Sequence, residues 1–273
     1  MSLKQRAKNR IIEIEDKLNR ITYNRKCRLY CVGTSKSGTH SINTMFNTSV
    51  RSQHEPESGR TIRKIIEIFT DNIPEKDIKL FLRKKDRRLC LDVESSQLNF
   101  FFIDELVSEF TDARFLLTIR DVYSWLDSFI NDSLRRQSPN DWIMLREMIF
   151  RADVFAYPPE EEVLKRRGLY TLDGYISYWA NHNQKILSSI PSDRLLIVRT
   201  NEITDKAIDI AKFAGLSEDL VNRDKTHSYR NPKKYGILHE IDRYYLEDKI
   251  QRHCGAIMRR LFPEIRSLSD TKI

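Results

Sequence analysis

Short apolar runs alternate with amphipathic stretches along most of this chain of 273 residues. The amphipathic stretches carry apolar residues at intervals of three and four positions, which predicts helices. The apolar runs have the length of strands and predict four of them, at residues 29–33, 89–93, 114–119 and 195–198. Strands that alternate with helices predict an α/β protein, with a mainly parallel central sheet covered by helices on both faces. The polar segment 51–56 ends in a proline, which favours a loop or the tip of an edge strand.

Residues 3–22 form one amphipathic pattern, because their apolar side chains recur three and four positions apart. We therefore separate an N-terminal helical segment, residues 1–26, from a single domain over residues 27–273, and we expect the helix to pack on that domain. Residues 132–170 are charged and irregular in pattern, and two adjacent prolines interrupt them. This stretch predicts a helical insertion in the domain.

The net charge of +8 is concentrated near the N-terminus, where residues 1–30 hold nine basic and three acidic side chains. A basic surface suits a polyanionic ligand, a membrane surface or nucleic acid. The basic stretches lack interleaved aromatic residues, so we expect no nucleic-acid partner. The N-terminal helix has a narrow apolar stripe, which leaves peripheral contact with a membrane as the weaker alternative.

The sequence also bears on the compartment. It lacks the pattern of a signal peptide, and no stretch reaches the roughly 18 apolar residues of a membrane-spanning helix. The four cysteines show neither a paired motif nor the spacing of metal ligands. We therefore expect a cytoplasmic protein without a metal site, and the sequence gives no indication of its oligomeric state.

The first predicted strand leads into a loop of small residues around one lysine, Gly33-Thr34-Ser35-Lys36-Ser37-Gly38, and then into a helix. Backbone N–H groups and the helix dipole make such a junction an anion site, and the lysine adds a full positive charge. The lysine precedes the second glycine, so the loop differs from the Walker A pattern. We call residues 33–38 the P-loop and expect it to bind a phosphate-like group.

Charged side chains also follow the other predicted strands. Asp92 and Glu94 mark the carboxyl end of the second strand, Arg120 follows the third, and Arg199 follows the fourth. In a parallel sheet the ligand lies beyond the carboxyl ends of the strands. The sequence therefore predicts one crevice that is bounded by these charged groups and the P-loop.

Motifs at these junctions resemble those of sulfotransferases that use 3′-phosphoadenosine 5′-phosphosulfate (PAPS). The P-loop pattern of that family, Lys/Arg-Ser-Gly-Thr-Ser/Thr, stands here as Lys36-Ser37-Gly38-Thr39-His40-Ser41. The family's arginine with a serine eight residues later stands as Arg120 and Ser128. The resemblance spans roughly residues 28–262 and implies a P-loop three-layer α/β/α domain of the sulfotransferase type.

Two weaker matches extend the resemblance. The motif at the end of the last strand stands here as Arg199-Thr200-Asn201-Glu202-Ile203, with a threonine where many relatives have tyrosine. The string His54-Glu55-Pro56 is similar to a bacterial-type variant of the family.

The resemblance implies a binding site for PAPS as the co-substrate. Its 5′-phosphosulfate would lie on Ser35, Lys36, Ser37, Gly38, Thr39, His40 and Ser41. Arg120 and Ser128 would bind the 3′-phosphate, and Arg230 in a distal basic loop would close over it. The reaction would need no metal and would release adenosine 3′,5′-bisphosphate. The acceptor would be a hydroxyl or amine of a small molecule, carbohydrate or lipid.

The catalytic base stays open at the level of the sequence. Lys36 would neutralise the leaving oxygen. Glu55 is the first choice as base, because some relatives have a catalytic glutamate after the first helix, and His54 has the unperturbed pKa nearer to neutral. Asp92 and Glu94 compete with them, since other relatives carry a catalytic histidine at the end of the corresponding strand. Both are also candidate contacts for the substrate.

Two alternatives to sulfuryl transfer are also open. A P-loop kinase would use ATP and Mg²⁺, with Asp92 at a strand end to hold the metal. A nucleotide-binding pseudoenzyme would keep the loop without the chemistry.

Overall fold

Five parallel strands form the sheet at the centre of the part of the chain that this computed structural model describes, residues 14, 23–225, 233–271 and 273. The strands are β1 (Leu29–Cys31), β2 (Ser52–His54), β3 (Val93–Ser95), β4 (Arg114–Ile119) and β5 (Leu195–Arg199). Their order across the sheet is β2-β3-β1-β4-β5, and all neighbouring pairs are parallel. The predicted parallel α/β fold is confirmed, and segment 51–56 contributes the edge strand β2.

Helices fill the connections between the strands. The α-helices of the described residues are α1 (Thr39–Phe46), α2 (Ser58–Asp71), α3 (Glu75–Leu89), α4 (Ile103–Glu109), α5 (Val122–Arg135), α6 (Asn140–Ile149), α7 (Glu162–Arg166), α8 (Leu172–Ser189), α9 (Ala207–Ala214) and α10 (Arg243–Leu261). None of these described helices has the length and hydropathy needed to cross a membrane. The helix expected at residues 3–22 lies, except for Ile14, outside the described residues.

Two apolar cores lie on opposite faces of the sheet, because successive side chains of a strand point to opposite faces. Leu29 and Cys31 of β1 belong to the smaller core, which they share with buried residues of α1 and α9. Tyr30 between them belongs to the larger core, where its ring stacks on Phe115 of β4 with the ring centroids 5.8 Å apart. This alternation produces the three layers that the sequence predicted.

The position predicted for the second strand is wrong. The sequence predicts a strand at residues 89–93, but α3 continues to Leu89, Cys90 ends it with a φ of 45°, and β3 begins only at Val93. An apolar run this short fits the last turn of a buried helix as well as a strand, so its pattern could not decide between them.

Asp92 therefore lies at the amino end of β3, on the side of the sheet opposite to the P-loop. Its fully buried carboxylate accepts hydrogen bonds from the N–H groups of Lys26 at 2.6 Å, Cys27 at 3.2 Å and Arg51 at 3.0 Å, and from the Tyr23 hydroxyl. These bonds join the segment before β1 to the sheet. This position contradicts the expected roles of Asp92 as a base, substrate contact or metal ligand.

Glu94 also takes a structural position. It lies within β3, and its carboxylate pairs with the Lys85 ammonium of α3 at 2.6 Å, with both side chains almost fully buried. A buried carboxylate that is already neutralised by a buried lysine is not available to accept a substrate proton. The expectation that Glu94 faces the substrate is therefore corrected.

Candidate active site

The P-loop connects β1 to α1 in a conformation that two residues with positive φ define. Lys36 has a φ of 65° and Gly38 a φ of 103°. A side chain at Gly38 would contact the end of the Ile203 side chain, and the φ at this position is one that residues other than glycine rarely adopt, so the position favours glycine. A lysine held in the left-handed region is strained, and such strain is typical of functional sites.

Side-chain donors from the surrounding elements bind the carbonyl groups in and beside the P-loop. The donor–acceptor pairs are His182 Nε2 to Val32 at 2.7 Å, Trp125 Nε1 to Ser35 at 2.9 Å, Thr200 Oγ1 to Ser37 at 2.6 Å and Ser95 Oγ to Thr39 at 2.6 Å. His182 must carry its proton on Nε2, because a carbonyl oxygen can only accept. These bonds fix the loop from outside.

The N–H groups at the start of α1 complete the anion site. The first N–H groups of a helix have no partner within that helix. Those of Thr39 and Ser41 donate to no other backbone group in the described part of the chain. They are therefore available to an anion, together with the positive end of the helix dipole.

The two P-loop serines differ in what they offer to a ligand. The Ser35 hydroxyl is buried and has no hydrogen-bond partner among the described residues, so it fits an oxygen of a bound anion. The Ser37 hydroxyl instead donates to Thr34 O at 2.6 Å and contacts Thr118 Oγ1 at 3.1 Å, and its N–H also bonds to Thr34 O. Ser37 therefore braces the loop, which corrects its expected place among the ligand contacts.

Lys36 forms an ion pair with a residue that the sequence analysis did not identify. Its ammonium lies 3.3 Å from the Asp132 carboxylate on α5, and Asp132 also pairs with Arg135 at 3.0 Å and Arg136 at 3.7 Å. Burial lowers the pKa of Lys36, while Asp132 acts in the opposite direction. One carboxylate thus serves three cations at the mouth of the P-loop.

Helix α5 passes along the P-loop with one face toward it. Near the start of the helix, Trp125 donates a hydrogen bond to the Ser35 carbonyl. Near its end, Asp132 forms the ion pair with Lys36. Ser128 is three residues after Trp125 and four before Asp132, so the three side chains lie on the same face. Ser128 therefore lies on the face of α5 that is beside the P-loop, and its contact with a 3′-phosphate stays a prediction.

Arg120 follows β4 directly and lies beside the same crevice. Trp179 of α8 donates its indole N–H to the Arg120 carbonyl at 3.2 Å. The guanidinium is mostly enclosed, and no described residue accepts a hydrogen bond from it. Burial lowers its pKa, and the carboxylates of Asp121 and Asp127 oppose this effect. Asp121 instead caps α5 by accepting from Ser124 N at 2.8 Å.

His54 and Glu55 lie at the carboxyl end of β2, next to α1. His54 Nε2 contacts Thr39 Oγ1 at 3.2 Å, and its ring meets the His40 ring edge-on with centroids 5.2 Å apart. Burial and the neighbouring His40 lower the pKa of His54 to about 4, so it is neutral at pH 7. Burial also lowers the pKa of His40.

Glu55 combines a strained backbone with a perturbed carboxyl group. It has a φ of 48°, and it accepts a hydrogen bond from Gln97 Nε2 at 3.0 Å. Burial raises the pKa of Glu55 to about 7, although the Gln97 hydrogen bond and the positive charge of Arg146 act against the rise. A carboxyl group with a pKa near 7 is suited to act as a general base at neutral pH.

The structure thus brings most of the expected residues together at one edge of the sheet. The P-loop, the first turn of α1, His54, Glu55, Arg120 and Ser128 all adjoin it. Arg230 lies outside the described residues. Arg199, expected at the crevice, pairs instead with Glu264 at 2.6 Å.

Several residues that bind the P-loop or the Arg120 backbone could not be assigned to the site from the sequence. Trp125, Trp179, His182 and Asp132 act through contacts between elements that are distant in sequence. The spacing of Trp125 and Asp132 from Ser128 was a usable signal, because it places all three on one helix face.

Comparison with known proteins identifies the family. A family model described as a sulfotransferase domain matches residues 28–203, more than half of the chain. The chain belongs to the sulfotransferase family. The matched part contains the P-loop, Glu55, Arg120 and Ser128, and it ends just after β5.

Two relatives of this sulfotransferase show how far individual similarity extends. "Ava biosynthesis cluster protein M" of Aspergillus versicolor is 27% identical over 103 residues, which cover 35% of this chain and 40% of that protein. The chain therefore matches less than half the length of this curated relative. A crystal structure of a sulfotransferase from Alicyclobacillus acidocaldarius is 14% identical, with a TM-score of 0.47, and the match covers 88% of this chain and 95% of that one.

Proposed function

We propose that this sulfotransferase transfers a sulfuryl group from PAPS to a hydroxyl or amine of a small-molecule, carbohydrate or lipid acceptor. The proposal is supported by the location of two candidate anion sites at the same edge of the sheet. The P-loop with Lys36 is one site, and Arg120 with Ser128 is the other. PAPS carries two separate anionic groups of this kind, the 5′-phosphosulfate and the 3′-phosphate, whereas ATP has no 3′-phosphate.

The 5′-phosphosulfate would bind the P-loop and the start of α1. The unpartnered Ser35 hydroxyl and the N–H groups of Gly38, Thr39 and Ser41 are its proposed donors, and His40 lies beside them on the first turn. Lys36 would exchange Asp132 for the donor and neutralise the charge that develops on the departing phosphate.

The 3′-phosphate would bind Arg120, whose guanidinium has no partner among the described residues, and the Ser128 hydroxyl. Arg230, which lies outside those residues, is proposed to close over the same phosphate. The residues present therefore fit a nucleotide with phosphates at both positions.

In the proposed reaction, Glu55 accepts the proton of the acceptor hydroxyl or amine as that atom attacks sulfur in line. A new bond forms between the acceptor atom and sulfur, and the bond between sulfur and the bridging oxygen breaks. The electron pair of the breaking bond goes to the 5′-phosphate, which leaves as part of adenosine 3′,5′-bisphosphate. Glu55 is preferred to His54 because its pKa of about 7 matches the working pH, whereas a pKa of about 4 makes His54 a weak base.

A kinase activity is the second candidate. It needs an acidic residue beside the P-loop to hold Mg²⁺, and the position of Asp92 does not meet this need. Asp92, the residue expected to hold Mg²⁺, lies at the opposite side of the sheet. We also propose that this sulfotransferase is cytoplasmic. Its four cysteines all carry free thiols, and disulfides are rare in reducing compartments.

Thermal unfolding with adenosine 3′,5′-bisphosphate tests the proposal. A concentration of 100 Kd should stabilise the protein by about 2.7 kcal/mol. Arg120→Ala should reduce this stabilisation for the bisphosphate but not for AMP, which lacks the 3′-phosphate. The exposed Arg259→Ala is the matched control. A wild-type protein that responds to ATP with Mg²⁺ and not to the bisphosphate would contradict the proposal.

A further inference from the structure

Arg146 on α6 is a half-buried cation that forms few hydrogen bonds with the described residues. Its Nη1 donates to Ser138 Oγ at 2.7 Å, and its guanidinium carbon lies 5.2 Å from the centre of the Phe129 ring. Among the described residues, no carboxylate lies within ion-pair distance of it. A guanidinium has five N–H donors, so most of its bonding capacity remains unused.

Other half-buried or buried arginines of the chain are bonded much more completely. Arg88 makes a two-point pair with Glu57, at 2.8 Å and 2.5 Å. Arg194 donates to three backbone carbonyl groups. Like Arg120, Arg146 therefore makes fewer hydrogen bonds than Arg88 and Arg194, and a guanidinium that is partly withdrawn from water is costly when its donors lack acceptors.

The position of Arg146 links it to the proposed base. Its charge acts on the Glu55 carboxylate, although the two form no ion pair. Helix α6 packs against α2, the helix that follows Glu55, and Arg63 of α2 pairs with Asp141 of α6 at 3.2 Å. Phe129, beneath Arg146, packs on Trp125 with centroids 5.4 Å apart. Arg146 thus lies near Glu55, on a helix that packs against the one that follows Glu55.

The surroundings carry further positive charge. Arg135 and Arg136 lie at the end of α5, and they share the Asp132 carboxylate with Lys36. The segment 135–146 therefore presents three arginines, and Asp141, a carboxylate of this segment, pairs with Arg63. Asp132 and Asp141 thus both pair with cations other than Arg146.

We propose that Arg146 binds an acidic group of the acceptor, so that the molecule to be sulfated is an alcohol or amine that also carries a carboxylate, sulfate or phosphate. This inference rests on the proposed function and names the class of its acceptor. The acidic group would satisfy the unused donors of Arg146, and it would orient the neighbouring hydroxyl or amine toward Glu55. A charge-assisted contact of this kind is among the stronger hydrogen bonds.

The test measures anion binding to the protein saturated with adenosine 3′,5′-bisphosphate. Sodium sulfate and sodium acetate are titrated separately into this complex by calorimetry, with sodium chloride holding the ionic strength constant. We expect one of the two probes to bind, and Arg146→Gln to weaken that binding about tenfold. Arg146→Lys should retain most of it, and the exposed Arg259→Gln should retain all of it. The preferred probe separates a sulfate-like or phosphate-like group from a carboxylate.

Three results would overturn the inference. They are the absence of anion binding to the bisphosphate complex, unchanged binding in Arg146→Gln, and loss of bisphosphate affinity in Arg146→Gln, which would place this arginine in the donor site. Failure of the wild-type protein to bind the bisphosphate would instead contradict the proposed function. Melting curves of the free variants show whether Arg146→Gln is folded, and Arg146→Lys gives the same comparison with the charge kept.

Discussion

The Lys36 ammonium lies 3.3 Å from the Asp132 carboxylate, so helix α5 supplies the counterion of the P-loop lysine. The pair is largely shielded, with side-chain exposures of 13% for Lys36 and 20% for Asp132. A phosphosulfate that binds the loop must compete with this carboxylate for the lysine. In the proposed function, the ion pair would therefore set part of the free energy of donor binding.

We expect Asp132→Asn to bind adenosine 3′,5′-bisphosphate about threefold to tenfold more tightly than the wild-type protein. The substitution frees Lys36 and removes a negative charge that repels the ligand, and partly exposed ion pairs have energies of this size. Calorimetric titration gives the two dissociation constants. Asp141→Asn, which removes the carboxylate of an exposed pair with Arg63, should leave the affinity unchanged. Weaker binding in Asp132→Asn would show that Asp132 holds Lys36 in its productive position.

The proposed base should produce a simple pH profile. Glu55 accepts a proton only when ionised, so kcat/KM should rise with pH up to about 7 and level off above it. Glu55→Gln should lower kcat by about 10²–10⁴-fold, the usual contribution of a general base. Release of adenosine 3′,5′-bisphosphate from PAPS is the measurement. His54→Gln is the comparison, and a larger loss in that variant than in Glu55→Gln would assign the base to His54.

The same pKa predicts an effect on stability without any substrate. Burial raises the pKa of Glu55 in the folded protein above its ordinary value, so the folded state favours the protonated form. The stability that this group contributes is therefore complete below pH 4.5 and is lost as the pH rises through about 7. Glu55→Gln should have a higher melting temperature than the wild-type protein at pH 8 and lose this advantage at pH 4.5. The exposed Glu160→Gln is the matched control.

Substitution of two tryptophans should show which anion site binds which part of the ligand. Trp179 holds the Arg120 carbonyl, and Trp125 holds the Ser35 carbonyl in the P-loop. Trp179→Phe should weaken binding of adenosine 3′,5′-bisphosphate about fivefold and leave AMP binding unchanged, because only the former has a 3′-phosphate. Trp125→Phe should weaken both ligands. Equal losses for both ligands in both variants would mean that the tryptophans only stabilise the fold.

Asp92→Asn should affect stability and not the donor site. The carboxylate accepts hydrogen bonds from three N–H groups and a hydroxyl, and an amide at this position would set an NH₂ group against some of these donors. We expect a loss of about 1–3 kcal/mol in the free energy of unfolding. The dissociation constant of adenosine 3′,5′-bisphosphate should not change. A lower affinity for the bisphosphate at unchanged stability would show that Asp92 does contribute to the donor site.

Local patterns in the sequence were sufficient for the architecture. The parallel sheet, the P-loop and the helix after β4 could all be predicted, because apolar runs and spacings of three and four residues reflect which side chains a strand or helix must bury. The sequence also predicted that Arg120 lies at the same crevice as the P-loop, since the carboxyl ends of parallel strands meet at one edge. The role of Ser128 came from the family resemblance and stays a prediction.

The tertiary structure decided what each charged residue does. A shift of the second strand by four residues, from 89 to 93, moved Asp92 to the opposite side of the sheet, and the apolar run before it allowed either position. The Lys36–Asp132 pair and the elevated pKa of Glu55 arise where distant segments meet and exclude water. Burial and charge pairing depend on these long-range contacts, so the sequence located the site while only the folded chain assigned the roles within it.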